Sequence, residues 1–194
     1  MSSPRVSRPS LVVLALCALC VALPARAADS AAGLLIGFGV DQYQITPAAT
    51  GELLALELHL DVPDRPWDLD VIVDWEQLVA TSLLTSQPRL GLTGLAHLRH
   101  PLGRRFGLAA APGLDVEWGR DARVLDEQLR WVPAGAFGVT GRAGVEMRVG
   151  RRWEFGLYGR GVAGFRAGIE GPEAWRQALG ELSITRTLRP PSPS

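Results

Sequence analysis

The most constraining feature of this chain is an alternation with a period of two. Leucine or valine occupies positions 54, 56, 58, 60 and 62, while Ala55, Glu57, His59 and Asp61 fill the other phase. The pattern recurs as Leu69, Val71, Val73 and Trp75 against Asp68, Asp70, Asp74 and Glu76. It recurs again as Phe106, Leu108, Ala110, Leu114, Val116 and Trp118 against Gly107, Gly113, Asp115 and Glu117. Phe137, Val139, Ala143, Val145, Met147 and Val149 oppose Arg142, Glu146 and Arg148, and Trp153, Phe155, Leu157, Ala163 and Phe165 oppose Glu154, Tyr158 and Arg160. Successive side chains of an extended chain point to opposite faces, so this alternation predicts strands. With weaker segments added, eight strands are predicted near 33–45, 51–62, 68–79, 88–100, 104–118, 134–149, 152–166 and 181–188. A short helix is predicted at 172–179, opened by Pro172 and stopped by Gly180. The fold class is therefore all-β and antiparallel, since parallel strands need long crossovers.

The links alternate between short and long. Tight turns are predicted at Pro63-Asp64-Arg65-Pro66, Pro101-Leu102-Gly103-Arg104 and Gly150-Arg151, and longer loops around 46–50, 80–87, 119–133 and 167–180. In a meander this puts tight turns at one end and loops at the other. The polar phase is crowded with small residues, among them Gly37, Gly39, Gly91, Gly107, Ala109, Ala111, Gly138, Gly144, Gly156 and Gly164. A solvated face has no steric reason to prefer glycine, which weakens a strand, whereas the narrow interior of an eight-stranded barrel does. Aromatic residues mark the strand ends: Trp67, Phe106 and Trp153 beside the tight turns, and Trp75, Trp118, Trp131 and Phe165 toward the loops. The 12 residues from Phe106 to Trp118, at roughly 3.3 Å each and a tilt near 40°, project to about 30 Å, which matches two interfacial girdles around an apolar band. The expectation is an eight-stranded antiparallel up-and-down β-barrel, transmembrane, with its apolar phase outward.

Residues 1–27 read as a cleaved signal peptide: Arg5 and Arg8, an apolar run over 11–23, then Pro24 and Ala25-Arg26-Ala27. The run is short of the roughly 20 residues that span a bilayer as a helix. Cleavage after Ala27 would remove Cys17 and Cys20, the chain's 2 cysteines, together with three of its 20 cations, all of which are arginine, leaving 17 against 20 anions. An exported domain without disulfides needs a sizeable core, a closed sheet or a membrane for its stability. Residues 28–188 would then form the barrel, and 189–194 a tail rich in proline and serine.

With these features the chain resembles the small eight-stranded bacterial outer-membrane barrels, such as the OmpA transmembrane domain and the OmpX and OmpW groups. The best local match is Gly144-Val145-Glu146-Met147-Arg148-Val149-Gly150-Arg151-Arg152-Trp153-Glu154-Phe155, which is similar to the penultimate hairpin of such barrels. The resemblance implies outer-membrane localisation, contact with outer-membrane lipid, insertion by the barrel assembly machinery, and a monomer. Such barrels usually end on an aromatic residue that this machinery reads. Here strand eight is predicted to end near Leu188, with Arg189-Pro190-Pro191-Ser192-Pro193-Ser194 following.

The balance of 20 cations and 20 anions gives no basic face for nucleic acid. The polar phase instead predicts a lumenal charge network with a structural role: Glu57, His59, Asp70, Asp74, Arg89, Glu117, Arg142, Glu146 and Arg160. Asp68, Asp70, Asp74 and Glu76 share one strand face, spread at about 7 Å per two residues, so pairing with Arg89, Arg142, Arg148 and Arg160 is expected rather than calcium binding. No metal-ligand cluster, cofactor or catalytic residue is predicted. Gly159-Arg160-Gly161-Val162-Ala163-Gly164 scans as G-x-G-x-x-G but opens no helix. His59, His97 and His100 lack the His-x-Ser pair of the lipid A deacylase barrels and the chain has no Gly-x-Ser-x-Gly elbow, so lumenal histidines bonded to acids are expected. The functional expectation is an outer-membrane protein with a narrow polar interior and a structural, adhesive or interaction role. Two alternatives are a soluble periplasmic lipocalin-like barrel binding an apolar ligand and a lipid A acyl hydrolase-like barrel.

Overall fold

Each alternating segment needs two strand neighbours to satisfy its backbone, and the chain supplies them by closing on itself. The computed structural model describes residues 31–43, 49–62, 64–80, 85–125, 127–167 and 171–188. They form β1 (Ala31–Tyr43), β2 (Ala49–Leu60), β3 (Asp68–Ala80), β4 (Thr85–Pro101), β5 (Phe106–Leu125), β6 (Gln128–Val149), β7 (Trp153–Ala167) and β8 (Pro172–Thr187). The strands follow one another around a closed barrel, each antiparallel to both neighbours. β1 meets β8 from Ala31↔Thr187 to Tyr43↔Trp175, which closes the wall into a ring. The predicted signal peptide and C-terminal tail lie outside the described residues.

Three short links join the strands at one end. Gly103 (φ 131°) and Gly150 (φ 67°) take backbone conformations that side chains rarely adopt, which is why glycine opens the repeated Gly-Arg-Arg-aromatic turns. The turns are tied to neighbouring strands, with Arg148 N of β6 donating to Arg105 O at 2.7 Å and Thr187 N of β8 to Arg152 O at 2.9 Å.

Two expectations from the sequence are corrected. Residues 172–179 are no helix but the first half of β8, in which Trp175, Gln177 and Leu179 point inward and Ala174, Arg176 and Ala178 outward. Eight residues with apolar positions four apart satisfy both periods, and the free ladders of β7 and β1 decide between them. The long loops expected at 119–133 and 167–180 are mostly strand. β5 and β6 continue as a ladder to Leu125↔Gln128 and project as a hairpin, while only four residues separate β7 from β8.

The phases sort as the glycine distribution predicts. Leu34, Ile36, Phe38, Leu92, Leu108, Leu114, Val139, Val145, Leu157 and Leu182 face outward, exposed by 42–61%. Inside, Leu35, Leu53, Ile72, Leu95 and Leu179 pack with Ala55 and Ala111, and Trp175 packs with Ala136 and Val162. The lumen is therefore filled by side chains as well as charges, an apolar component that the polar-phase reading did not foresee.

Glycine makes the filling fit. Gly144 pairs with Tyr158 across β6 and β7. A Cβ there would collide with the Leu157 carbonyl and lie 2.6 Å from Tyr158 Cδ1 and 2.8 Å from its Cα. Outward Gly161 has nothing within 4 Å of its added Cβ. Gly144→Ala is expected to destabilise the barrel by about 1–3 kcal/mol, and Gly161→Ala to change stability by less than about 0.5 kcal/mol. Urea unfolding followed by tryptophan fluorescence checks both.

Candidate functional site

All nine residues predicted to line the lumen lie on the inner face. Glu57, Asp70, Asp74, Arg89, Glu117, Arg142, Glu146 and Arg160 are buried and His59 is half-buried. Seven of them gather into two groups, one around two arginines and one around two histidines, and Arg89 and Glu117 pair with each other.

The arginine group spans the barrel. Arg142, on β6, pairs with Glu57 of β2, lies 2.9 Å from Glu181 of β8 and 3.7 Å from Asp70 of β3, and stacks 3.6 Å over the Tyr158 ring. Arg160, on β7, lies 2.7 Å from Glu181, 3.4 Å from Asp74 and 3.8 Å from Asp115, and donates to Thr93 Oγ1 at 2.7 Å. Thr93 donates in turn to Asp115 at 2.5 Å. Glu181 thus bridges the two arginines. It was legible as a member of the polar phase of strand eight, but the segment before it resembled a helix and obscured the register. Tyr158, Asp115, Thr93 and Gln177, which donates to Glu76 at 2.8 Å, are also absent from the sequence-derived set. Arg89 pairs with Glu117 at 3.4 Å.

Arg148 does not meet the expectation of a partner across the lumen. It sits at the rim, its side chain 60% exposed, 3.0 Å from Glu154. The reason is position: it is two residues beyond buried Glu146, where the wall ends in the 150–152 turn.

The histidine group lies at the mouth beside the tight turns. In the β2–β3 and β3–β4 registers His59 stands opposite Asp70 and Asp68 opposite His97. His59 contacts Asp70 through Nδ1 and Asp68 through Nε2 at 3.0 Å. His97 contacts Asp70 through Nδ1 at 2.6 Å and Glu146 through Nε2 at 2.9 Å. Arg99 completes the mouth, 3.2 Å from Glu146 and 2.5 Å from Glu154. A cavity of about 700 Å³ opens there, lined in part by His59, Asp68, Asp70, His97, Arg99 and Glu154. One ligand atom from each of His59, Asp70 and His97 lies within 4.8 Å of the others. This corrects the expectation that no metal-ligand cluster exists, since strand register assembles what sequence spacing scatters. His100 is exposed and stands outside the group.

Burial makes these contacts energetically asymmetric. Removing one member of a buried ion pair strands its partner, whereas an exposed pair contributes little. Arg142→Glu sets a new carboxylate against Glu57, Glu181 and Asp70 and is expected to destabilise the barrel by at least about 3–5 kcal/mol. Arg148→Glu is expected to change stability by less than about 1 kcal/mol. Thermal and urea midpoints of the two variants compare them directly, and an unchanged midpoint for Arg142→Glu contradicts the network as drawn.

No known protein family matches the chain as a sequence, and no curated protein does either. Solved structures do match. Neisserial surface protein A superposes with a TM-score of 0.63 at 10% identity, covering 82% of this chain and 97% of its own. The attachment invasion locus protein of Yersinia pestis superposes with a TM-score of 0.50 at 10% identity, covering 84% of this chain and 99% of its own. At this identity the likeness is one of architecture: the chain shares the closed eight-stranded antiparallel barrel of these small outer-membrane proteins.

Proposed function

We propose that the protein is an outer-membrane barrel, exported with its leader removed, whose plugged interior stabilises it and whose projecting strands serve a structural, adhesive or interaction role. One observation carries this reading: the outer wall is apolar while the lumen is charged. Among the described residues, 25 large hydrophobic side chains are exposed, far beyond the few hundred Å² of apolar patch that a soluble monomer usually tolerates. Aromatic residues cluster at two levels of that wall. Toward the tight turns, Phe106, Met147 and Phe155 are consecutive register neighbours, with Trp153 beside Val149. Toward the loops, Trp75, Leu90 and Trp118 are neighbours, as are Val116, Phe137 and Phe165. Amphipathic rings at two levels suit the two lipid–water interfaces.

The β5–β6 hairpin extends past the loop-side belt and carries exposed Arg120, Arg130 and Trp131, a surface suited to contact with other molecules. The superposed structures include a surface protein and an attachment invasion locus protein by name, which agrees with a surface role. A lipocalin-like carrier would need an apolar lumen, whereas eight buried carboxylates and four buried arginines face inward here. An acyl hydrolase would need a histidine nitrogen free to activate a serine, and both ring nitrogens of His97 face carboxylates.

Membrane placement is tested with single-tryptophan variants reconstituted in bilayers of brominated lipid. Trp118 and Trp153 are 52% and 45% exposed, and Trp175 is 1% exposed. Fluorescence from Trp118 and Trp153 is expected to be strongly quenched and that from Trp175 to persist. The protein should also need detergent for extraction and migrate differently on gels before and after boiling. Recovery in the soluble periplasmic fraction, without quenching, favours the carrier instead.

A further inference from the structure

The histidine group has more organisation than an internal ion network requires. His59, Asp70 and His97 come from β2, β3 and β4, and the ladder registers hold their side chains on one inner face. Both imidazoles turn Nδ1 toward the same carboxylate, one to each oxygen of Asp70. Both turn Nε2 toward a second carboxylate, Asp68 for His59 at 3.0 Å and Glu146 for His97 at 2.9 Å. The rings meet edge to face with centroids 5.2 Å apart. A metal-binding imidazole typically uses one nitrogen as ligand and has the other N–H fixed by a carboxylate, which sets tautomer and ring orientation and raises ligand basicity. Here that arrangement occurs twice around one shared carboxylate.

The surroundings favour a cation. Buried carboxylates outnumber buried arginines eight to four among the described residues. Asp70 and Glu146 are 0% and 1% exposed, while His59 borders the 700 Å³ cavity at the tight-turn mouth, so an ion has both a rigid seat and a route in.

We propose that His59 Nδ1, His97 Nδ1 and an Asp70 oxygen form a binding site for a divalent transition-metal ion, with Asp68 and Glu146 orienting the imidazoles and the remaining coordination position open to the cavity. Two imidazoles and one carboxylate suit zinc, whereas calcium and magnesium select oxygen donors. The three ligand atoms already lie within 4.8 Å of one another, and an ion entering between them replaces the two Nδ1–Asp70 hydrogen bonds with its own bonds to the same atoms. The ion displaces whatever protons the two Nδ1 atoms carry, so binding weakens as pH falls.

The test uses the protein purified without a histidine tag, stripped with chelator, and titrated with zinc chloride by calorimetry and with cobalt chloride by visible absorption. One ion per chain is expected, with cobalt bands of low-symmetry nitrogen and oxygen coordination. His59→Ala should weaken binding at least tenfold, and Asp68→Asn, which removes only an orienting partner, by about 10–100-fold. His100→Ala should bind like the parent. Both key variants alter partly exposed side chains at the rim, 26% and 34% exposed, and the boiling-dependent gel shift verifies that each remains folded. Absence of saturable zinc binding by the parent overturns the proposal. So does binding of equal affinity in His59→Ala, since any ion held would then sit elsewhere.

Discussion

Closing eight strands into a ring leaves an interior too narrow for bulk water, so each inward side chain must find its complement among the others. Every other feature of this molecule follows from that constraint. Arg142 and Arg160 are tolerated inside because Glu181 stands between them and Glu57, Asp74 and Asp115 meet their far sides. Tyr158 fits beneath Arg142 because Gly144, its partner on β6, and Gly156, two residues before it on β7, have no side chain to contest the space. Leu35, Ile72 and Leu95 occupy volume that charges leave empty. The outer wall, freed from holding the fold together, carries the apolar residues that a soluble protein of this size would bury.

The strands and their facing were legible from local rules. Period two fixes an extended chain, and the bias of glycine to the polar phase identifies the crowded side without reference to any partner. Partner choice was not legible, because it depends on the stagger of strands around the ring. Arg142 meets Glu57 across 85 residues and Arg160 meets Asp74 across 86, separations at which no sequence spacing signals proximity. Arg148 illustrates the opposite error: it belongs to the right phase but sits where the wall stops. The residues 172–179 were misread because a short segment can satisfy helical and strand periods together, and only the vacant edges of β1 and β7 distinguish them.

The histidine group was hidden for a related reason. Metal-ligand motifs are usually recognised by close spacing on one helix or turn. His59 and Asp70 are 11 residues apart and Asp70 and His97 are 27 apart, yet in three adjacent strands they are lateral neighbours. In a meander the informative separation is set by strand length, and residues reflected about a turn are those that meet. His59 and Asp70 reflect about the 61–67 turn, and Asp68 and His97 about the β3–β4 link.

The pairing of Ala31 with Thr187 joins the first described strand to the last. Glu57 accepts one of its hydrogen bonds from Ser183, 126 residues away, and both central arginines pair with Glu181 from the same final strand. A barrel without β8 therefore lacks the carboxylate that the two arginines share, and its β1 and open last strand expose unpaired backbone. Neither half of the ring is a resting place. Non-local contacts of this kind slow folding, and in this ring the charge balance of the interior is complete only once the final strand is in place.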